Sequence, residues 1–158
     1  KNWSRKEYQS QMEKTYNIVE LFSGIGSQAA ALKNLGVKIN TVGTSEWDVH
    51  AIVAYDMIHG GTDIPADIAR MSKDELLEKM SHYTFSNSGK APLEYEALRT
   101  YSVKSLRYIY TSIKRNHNFV DISALEGKEM PDGIDILTYS FPCQDLSNVG
   151  AFHGYNKE

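Results

Sequence analysis

The sequence ELFSGIGSQAA, residues 20–30, indicates the fold of this chain. An apolar run from Tyr16 to Phe22 leads into its two glycines and is typical of a short buried strand. The alanine-rich sequence that follows favours a helix that stops at Gly36. Gly24 and Gly26 therefore lie between a strand and a helix, where glycine lets the backbone approach a ligand at the helix N-terminus.

The next segment repeats the alternation of strand and helix. Residues 37–46 are predicted as a second strand that ends at Glu46, and residues 47–61 as a second helix closed by Gly60 and Gly61. This order predicts the βαβ start of a doubly wound α/β fold: strand, glycine turn, helix, strand, acidic residue and helix.

Residues 62–118 interrupt this alternation, and we expect them to form a helical insertion. Ser72 and Glu75 form the pattern of a capping box, and apolar residues at helical spacing predict one helix from about Leu93 to Lys114. Connections in α/β units are usually about 2 to 6 residues long, so two helices between successive strands exceed what the fold needs.

Two further strands are expected after the insertion. NFVDIS, residues 118–123, predicts a third strand that ends at Asp121. IDILTYSF, residues 134–141, predicts a central, buried strand that ends just before Cys143. Because open α/β sheets bind ligands at the carboxyl ends of their strands, this order predicts that Cys143 lies at a ligand-binding edge.

Cys143 is the only cysteine of the chain, and its position favours a nucleophile over a buried structural thiol. Pro142 fixes the backbone before it. The turn-like sequence QDLSNVG after it is compatible with a helix start, where the pKa of a thiol falls and its thiolate becomes available.

The glycine turn and Glu46 together indicate a cofactor that contains adenosine. Gly24, Gly26 and Ala29 complete the pattern G-x-G-x-x-A, and Glu46 lies 20 residues beyond Gly26, where a carboxylate can accept ribose hydroxyls. Trp47 either offers a flat face to an adenine ring or packs in the core.

The sequence leans towards S-adenosylmethionine and leaves a dinucleotide, or a tight turn without a ligand, as alternatives. Glu20, close to the glycines, suits the cationic amino and sulfonium groups of S-adenosylmethionine, whereas a dinucleotide needs the helix N-terminus for its pyrophosphate. Asp121 either receives the adenine amino group or caps the following turn.

Composition sets the broad class of protein. With 41% hydrophobic residues the chain can bury a core, and its net charge of −3 gives no overall signal of nucleic-acid binding. A single cysteine favours a reducing compartment, and no apolar run is long enough to span a membrane. The five histidines show no metal-ligand spacing.

One helix concentrates basic residues. Between positions 99 and 115 it has no acidic residue, which suits either a phosphate-contacting face or, as we favour, an ordinary solvated face. Its basic residues are Arg99, Lys104, Arg107, Lys114 and Arg115.

Four motifs, in order along the chain, resemble the DNA (cytosine-5) methyltransferases. ELFSGIGS resembles the family's first motif, SEWDVHAI its second, VDIS its Asp-Ile motif, and SFPCQDLSNVG the Pro-Cys-Gln loop that carries the nucleophile. The resemblance implies a partial, Rossmann-like S-adenosylmethionine-dependent methyltransferase fold with a helical insertion at 62–118. It also implies a function in DNA methylation, as in restriction–modification.

The resemblance assigns chemistry to particular residues. Cys143 would form a covalent bond to C6 of cytosine in DNA, so that C5 accepts the methyl group of S-adenosyl-L-methionine and S-adenosyl-L-homocysteine is the product. No metal is implied. The residues expected to contact the cofactor are Glu20, Phe22, Ser23, Gly24, Ile25, Gly26, Ser27, Glu46, Trp47, Asp121, Ile122 and Pro142.

The sequence departs from the family pattern after the cysteine loop. The family's later motifs, including the Glu-Asn-Val stretch that holds the cytosine and the target-recognition domain, do not follow. We therefore expect residues 1–158 to be the N-terminal part of a catalytic domain that needs a C-terminal part or a second subunit. We expect it in a prokaryotic or phage-like cytoplasm, with DNA. The alternatives are a non-catalytic half-domain that binds a cofactor or partner, and an NAD-binding oxidoreductase domain.

Overall fold

A computed structural model describes residues 14–140 of the chain. Three strands, six α-helices and one 3-10 turn make up this part. The strands are β1 (Thr15–Leu21), β2 (Lys38–Ser45) and β3 (Ile136–Tyr139). The helices are α1 (Ser27–Asn34), α2 (Val49–His59), α3 (Ala66–Arg70), α4 (Lys73–Met80), α5 (Tyr95–Arg99) and α6 (Val103–Arg115), and the 3-10 turn is Gly127–Glu129.

The strands form a parallel sheet in the order β2-β1-β3. Thr15 pairs with Lys38, and the β1–β2 register shifts between Ile18 and Val19, while Ile18 pairs with Ile136 on the other side. Because all three strands run in one direction, their carboxyl ends lie together at one edge of the sheet. This mixed α/β arrangement, with a small parallel sheet, confirms the predicted fold class.

Local sequence explains where the helices begin. The Asp48 carboxylate accepts hydrogen bonds from the His50 and Ala51 N–H groups at the start of α2. Ser72 and Glu75 form the predicted capping box at the start of α4. The bounds of β1, α1, β2 and α2 agree closely with the sequence prediction.

An apolar core lies on the side of α2, where the helices of the 62–118 segment pack against it. On α6, buried Leu106, Ile109 and Ile113 recur at helical spacing and face α2. The buried residues of this core are Val49, Ile52, Ile68, Leu76, Leu77, Met80, Phe85, Leu98, Leu106, Ile109, Ile113 and Val120. The segment is therefore part of one hydrophobic core with α2, while its boundaries as an insertion stay a prediction.

A buried ion pair also connects α2 to the end of α6. The Asp56 carboxylate accepts hydrogen bonds from Arg115 Nη1 at 2.9 Å and from Asn116 Nδ2 at 2.8 Å. Arg115 also donates to the Asp63 carbonyl at 2.6 Å. A buried carboxylate is tolerated when its oxygens are paired in this way.

The predicted single helix from about Leu93 to Lys114 is wrong, because the structure has two helices there. The Thr100 hydroxyl donates to the Ala97 carbonyl at the end of α5, and the Ser102 hydroxyl accepts the Ser105 N–H at the start of α6. These two hydroxyls bond to the backbone and separate the helices at residues 100–102.

The predicted third strand at residues 118–123 is also wrong. Asn118 makes only an isolated bridge with Thr44 beside the end of β2. Both His117 and Val120 have positive φ angles, of 45° and 65°, which an extended strand cannot accommodate. Asp121 therefore follows a sharp backbone turn instead of ending a strand.

The strand before the cysteine loop is shorter and more exposed than the sequence predicted. Within residues 14–140, β1 is the central strand and β3 lies at the sheet edge. Along β3, Leu137 is 50% exposed and alternates with half-buried neighbours. The expectation of a central, buried strand does not hold in this part of the chain. The described residues also contain no helix long and apolar enough to cross a membrane.

Candidate cofactor site

A cavity of about 650 Å³ opens at the carboxyl edge of the sheet. Its walls come from the ends of β1 and β2, from the turn after Val120, and from a loop between α4 and α5. The lining residues are Phe22, Ser45, Glu46, Trp47, Asp48, Ala51, Thr84, Ser88, Gly89, Lys90, Pro92, Val120, Asp121, Ile122, Ser123 and Ser140. The position agrees with the general rule that open α/β sheets bind ligands at this edge.

The glycine turn has the tight geometry that the sequence predicted. Gly24 and Gly26 have φ angles of 51° and 82°, in the left-handed region that favours glycine. A Cβ atom at Gly26 would lie 2.3 Å from His59 Nε2 and 2.7 Å from Tyr55 Cε2, so a larger residue does not fit. A Cβ atom at Gly24 would meet nothing within 4 Å. Gly26 therefore serves packing as well as conformation.

The Glu46 carboxylate connects the glycine turn to the start of α2. Its Oε2 accepts the Gly24 N–H at 2.9 Å, and its Oε1 accepts the Asp48 N–H at 2.8 Å. A carboxylate oxygen has two acceptor sites, so each oxygen can still accept a hydroxyl from a ligand. Glu46 is thus held in a fixed orientation at the cavity wall with acceptor capacity left over.

Asn118 fixes the backbone of Glu46, and the sequence analysis missed it. Its side-chain oxygen accepts the N–H groups of Glu46 at 3.1 Å and Val120 at 2.8 Å, and its amide donates to the Glu46 carbonyl at 3.1 Å. In the sequence, Asn118 is a single asparagine at the start of a segment predicted as a strand, and no motif marks it. Only the fold shows that Asn118 lies beside the end of β2.

Glu20 is fully buried and supports the glycine turn from below. One carboxylate oxygen accepts the Ala29 N–H at 3.0 Å in the first turn of α1, and the other accepts the Tyr55 hydroxyl at 2.5 Å. Burial and this bond to Glu20 raise the pKa of Tyr55 well above that of a free tyrosine. The Glu20 side chain is fully buried, and its direct contact with a cofactor stays a prediction.

Trp47 lines the cavity and also packs against the main core, so its packing in the core is confirmed and its contact with an adenine ring stays a prediction. Asp121 lines the cavity too, and its Oδ1 accepts the Ser123 N–H at 2.9 Å and the Ser123 hydroxyl at 2.6 Å. The expectation that Asp121 caps the following turn is therefore confirmed, and a bond to an adenine amino group stays a prediction. Ile122 lies beside it on the same wall.

The structure brings five of the expected cofactor residues onto the cavity wall: Phe22, Glu46, Trp47, Asp121 and Ile122. Ser23, Gly24, Ile25 and Gly26 form the turn next to it, and Ser27 begins α1. Pro142 and Cys143 lie outside the described residues. Ser140, three positions before Cys143 in the sequence, lines the cavity and accepts a hydrogen bond from Gln28 Nε2 at 2.9 Å.

The basic residues of α6 do not form one shared face. Arg115 is bound to Asp56 and Asp63, and Arg107 donates to the Met71 carbonyl at 2.8 Å, so both serve the fold. Lys104 and Lys114 are exposed. Among residues 14–140, no group of three or more histidine, cysteine or acidic side chains could hold a metal ion.

Comparison with known proteins decides the family. The sequence pattern of the C-5 cytosine-specific DNA methylases matches residues 16–87 and 98–158. The chain belongs to this family. This membership accounts for the order of the four motifs, from the glycine turn to the Pro-Cys-Gln loop.

Two bacterial relatives of this C-5 cytosine-specific DNA methylase chain match most of its length. It is 34% identical over 148 residues to the orphan methyltransferase M.SssI of Spiroplasma monobiae, which covers 91% of the chain. It is 31% identical over 142 residues to the type II methyltransferase M2.ScrFI of Lactococcus lactis, which covers 87% of the chain. In both cases the match spans only 38% of the relative's own length.

A shorter match links the methylase chain to a phage protein. It is 41% identical over 61 residues to the orphan methyltransferase M.SPBetaI of Bacillus phage SPbeta, a match that covers 37% of the chain and 14% of that protein. The family pattern leaves out residues 88–97, which include Ser88, Gly89, Lys90 and Pro92 of the cavity wall.

Proposed function

We propose that this chain binds S-adenosyl-L-methionine in the cavity and uses Cys143 to methylate C5 of cytosine in DNA. Family membership supports the reaction class, and the cavity supports the cofactor. S-adenosyl-L-homocysteine would be the product. The full activity is proposed for a protein in which this chain supplies the N-terminal part of the catalytic domain, residues 1–158.

The position of Glu20 is the observation that carries the choice of cofactor. In dinucleotide-binding folds, the free N–H groups at the N-terminus of the first helix receive a pyrophosphate. Here the buried Glu20 carboxylate already accepts the Ala29 N–H in that turn, and its negative charge would repel a phosphate. This arrangement disfavours NAD and favours a cofactor without phosphate.

The charge of the cavity wall supports the same choice. Among residues 14–140, three carboxylates, those of Glu46, Asp48 and Asp121, line the cavity beside one cation, Lys90. S-adenosylmethionine carries a sulfonium and an ammonium against one carboxylate, so it is a net cation. An acidic wall attracts a cation and repels the diphosphate of NAD.

Individual residues would bind separate parts of the cofactor. Glu46 has acceptor capacity for ribose hydroxyls, Trp47 and Ile122 present apolar surface to adenine, and the Asp121 carboxylate can accept from the adenine amino group. The backbone of the glycine turn would lie next to the methionine part. When bound, S-adenosylmethionine supplies the methyl group.

Cys143 would act on the target base. Its thiolate adds to C6 of cytosine, and the displaced electron pair makes C5 nucleophilic, so that C5 bonds to the methyl group. Loss of the C5 proton and elimination of the thiolate then restore the double bond and the free cysteine. Neither ring atom is accessible in a stacked duplex, so the base must be flipped out.

We further propose that the chain alone methylates DNA little or not at all. Residues 1–158 contain no Glu-Asn-Val stretch of the kind whose glutamate would hold the cytosine ring in this family. A C-terminal part or second subunit would supply that glutamate and the surface that recognises the target sequence. Steady turnover by the isolated 158-residue chain would contradict this proposal.

Covalent trapping tests the assigned nucleophile. Duplex DNA that contains 5-fluorocytosine is incubated with S-adenosylmethionine and the chain, with and without the C-terminal part of the Spiroplasma relative. Fluorine at C5 cannot leave as a proton does, so the adduct persists. We expect an adduct whose peptide mass maps to Cys143 and which the Cys143→Ala variant does not form. No adduct under either condition, or an adduct on another residue, would overturn the assignment.

A further inference from the structure

The loop of residues 84–92, called the pocket loop below, contributes a whole wall of the cavity. It lies between α4 and α5, in a segment where the sequence analysis placed no functional residue. Its lining residues are Thr84, Ser88, Gly89, Lys90 and Pro92. The other walls come from the strand ends and from the turn after Val120.

Ser86 organises the pocket loop from within. It is fully buried, and its hydroxyl donates to the Ala91 carbonyl at 2.7 Å and accepts the N–H groups of Ser88 at 3.2 Å and Gly89 at 2.9 Å. One donor and two acceptor bonds use the full capacity of a hydroxyl. A hydrogen bond from the Leu93 N–H to the Phe85 carbonyl at 2.7 Å closes the base of the loop.

The same serine attaches the pocket loop to the residues proposed to hold adenosine. The Ser86 N–H donates to the Trp47 carbonyl at 2.8 Å, and the Val49 N–H donates to the Ser86 carbonyl at 2.9 Å. Asp48 and Ser86 form a parallel bridge between these two bonds. The distance between the loop and Trp47 is therefore fixed by backbone bonds.

We propose that the pocket loop forms the wall of the cofactor cavity at its adenine end and that Ser86 is the positioning residue for this wall. The inference rests on the proposed function. It goes beyond the family pattern, because that pattern leaves out residues 88–97 and so does not include Ser88, Gly89, Lys90 or Pro92. The wall adds contact area to the carboxyl edge of the sheet.

Calorimetric titration of the 158-residue chain with S-adenosylhomocysteine tests this wall. Ser88 and Asn87 are adjacent and exposed, but only Ser88 lines the cavity. Ser88→Phe should fill the cavity and weaken binding at least tenfold, whereas the matched Asn87→Phe variant should bind within about twofold of wild type.

A second pair of variants tests the positioning residue. Ser86→Ala removes the three bonds that shape the loop and should weaken binding severalfold. Ser81→Ala, which removes one local bond to the Glu78 carbonyl on the same segment, should leave binding unchanged. If Ser86→Ala loses binding while Ser88→Phe binds with unchanged affinity, the proposal that the pocket loop forms a wall of the site is refuted. The effect of Ser86→Ala would then reflect folding alone.

The outcomes separate the two proposals. If wild type binds S-adenosylhomocysteine and Ser88→Phe binds equally well, the pocket loop is not a wall of the site and this inference alone fails. If wild type does not bind S-adenosylhomocysteine, the proposed function fails, and the inference fails with it.

Discussion

Replacing Asn118 with alanine tests whether this side chain holds Glu46 in place. The change removes three hydrogen bonds, two that the side-chain oxygen accepts and one that the amide donates. At about 1 kcal/mol net for each bond, the loss is about 3 kcal/mol, because the Glu46 and Val120 N–H groups lie where water reaches poorly. With a urea m-value of about 2 kcal/mol/M, the unfolding midpoint should fall by roughly 1.5 M.

The matched control is Asn40→Ala in β2. Asn40 is exposed and donates one bond to the Asn17 side chain, so its loss should cost less than about 0.5 kcal/mol. Asn118→Ala should also weaken S-adenosylhomocysteine binding, because the freed Glu46 backbone no longer aims the carboxylate. If the two variants unfold at the same urea concentration, the role assigned to Asn118 is refuted.

Three further changes follow from the structure. Gly26→Ala should lower the melting temperature more than Gly24→Ala, because only a Cβ atom at Gly26 would meet another side chain, His59 Nε2 at 2.3 Å. Equal melting temperatures of the two variants would contradict this packing argument. Arg115→Met should cost about 3–5 kcal/mol in urea unfolding, because it leaves the buried Asp56 carboxylate without its cation, and a loss below about 1 kcal/mol would count against it. Tyr55→Phe should reduce the loss of stability above about pH 10. The pKa of Tyr55 is raised in the folded chain, so the wild-type protein loses stability as the tyrosine of the unfolded chain ionises. Identical slopes of the free energy of unfolding against pH in the two proteins would be inconsistent with this.

The sequence was sufficient wherever local chemistry determines the structure. The glycine turn, the β1–α1–β2–α2 alternation and the Ser72–Glu75 capping box depend on residues near one another in the chain, so their patterns are readable. Glu46 and Trp47 were placed at the ligand edge for the same reason. A residue that directly follows a predicted parallel strand is expected at the carboxyl edge of the sheet.

The errors arise where distant contacts override the local pattern. NFVDIS has the composition of a strand, but Asn118 turns back to bond the Glu46 backbone, and Val120 takes a positive φ angle beside the core. The helix predicted from about Leu93 is split because Ser102 begins a new helix. Neither the Asn118 bonds nor the pocket loop has a periodic signal, since each depends on contacts between segments far apart in sequence.

The role of Glu20 shows a limit of another kind. Its type and position suggested a carboxylate that touches a cationic cofactor, and that contact stays a prediction. The structure adds that Glu20 is buried and bonds to Ala29 and Tyr55. Sequence cannot tell which face of a strand is covered by a later helix. The same carboxylate bears on the proposed choice of cofactor, because its negative charge lies at the first turn of α1, where it would repel a phosphate.

A direct comparison of S-adenosylmethionine and NAD as ligands tests the central claim. Each is titrated calorimetrically into the 158-residue chain and into its Glu46→Ala and Trp47→Ala variants. The proposed function predicts saturable, one-to-one binding of S-adenosylmethionine that both substitutions weaken at least tenfold, and no measurable binding of NAD. Binding of NAD with no binding of S-adenosylmethionine would contradict the claim and identify the cavity as a dinucleotide site.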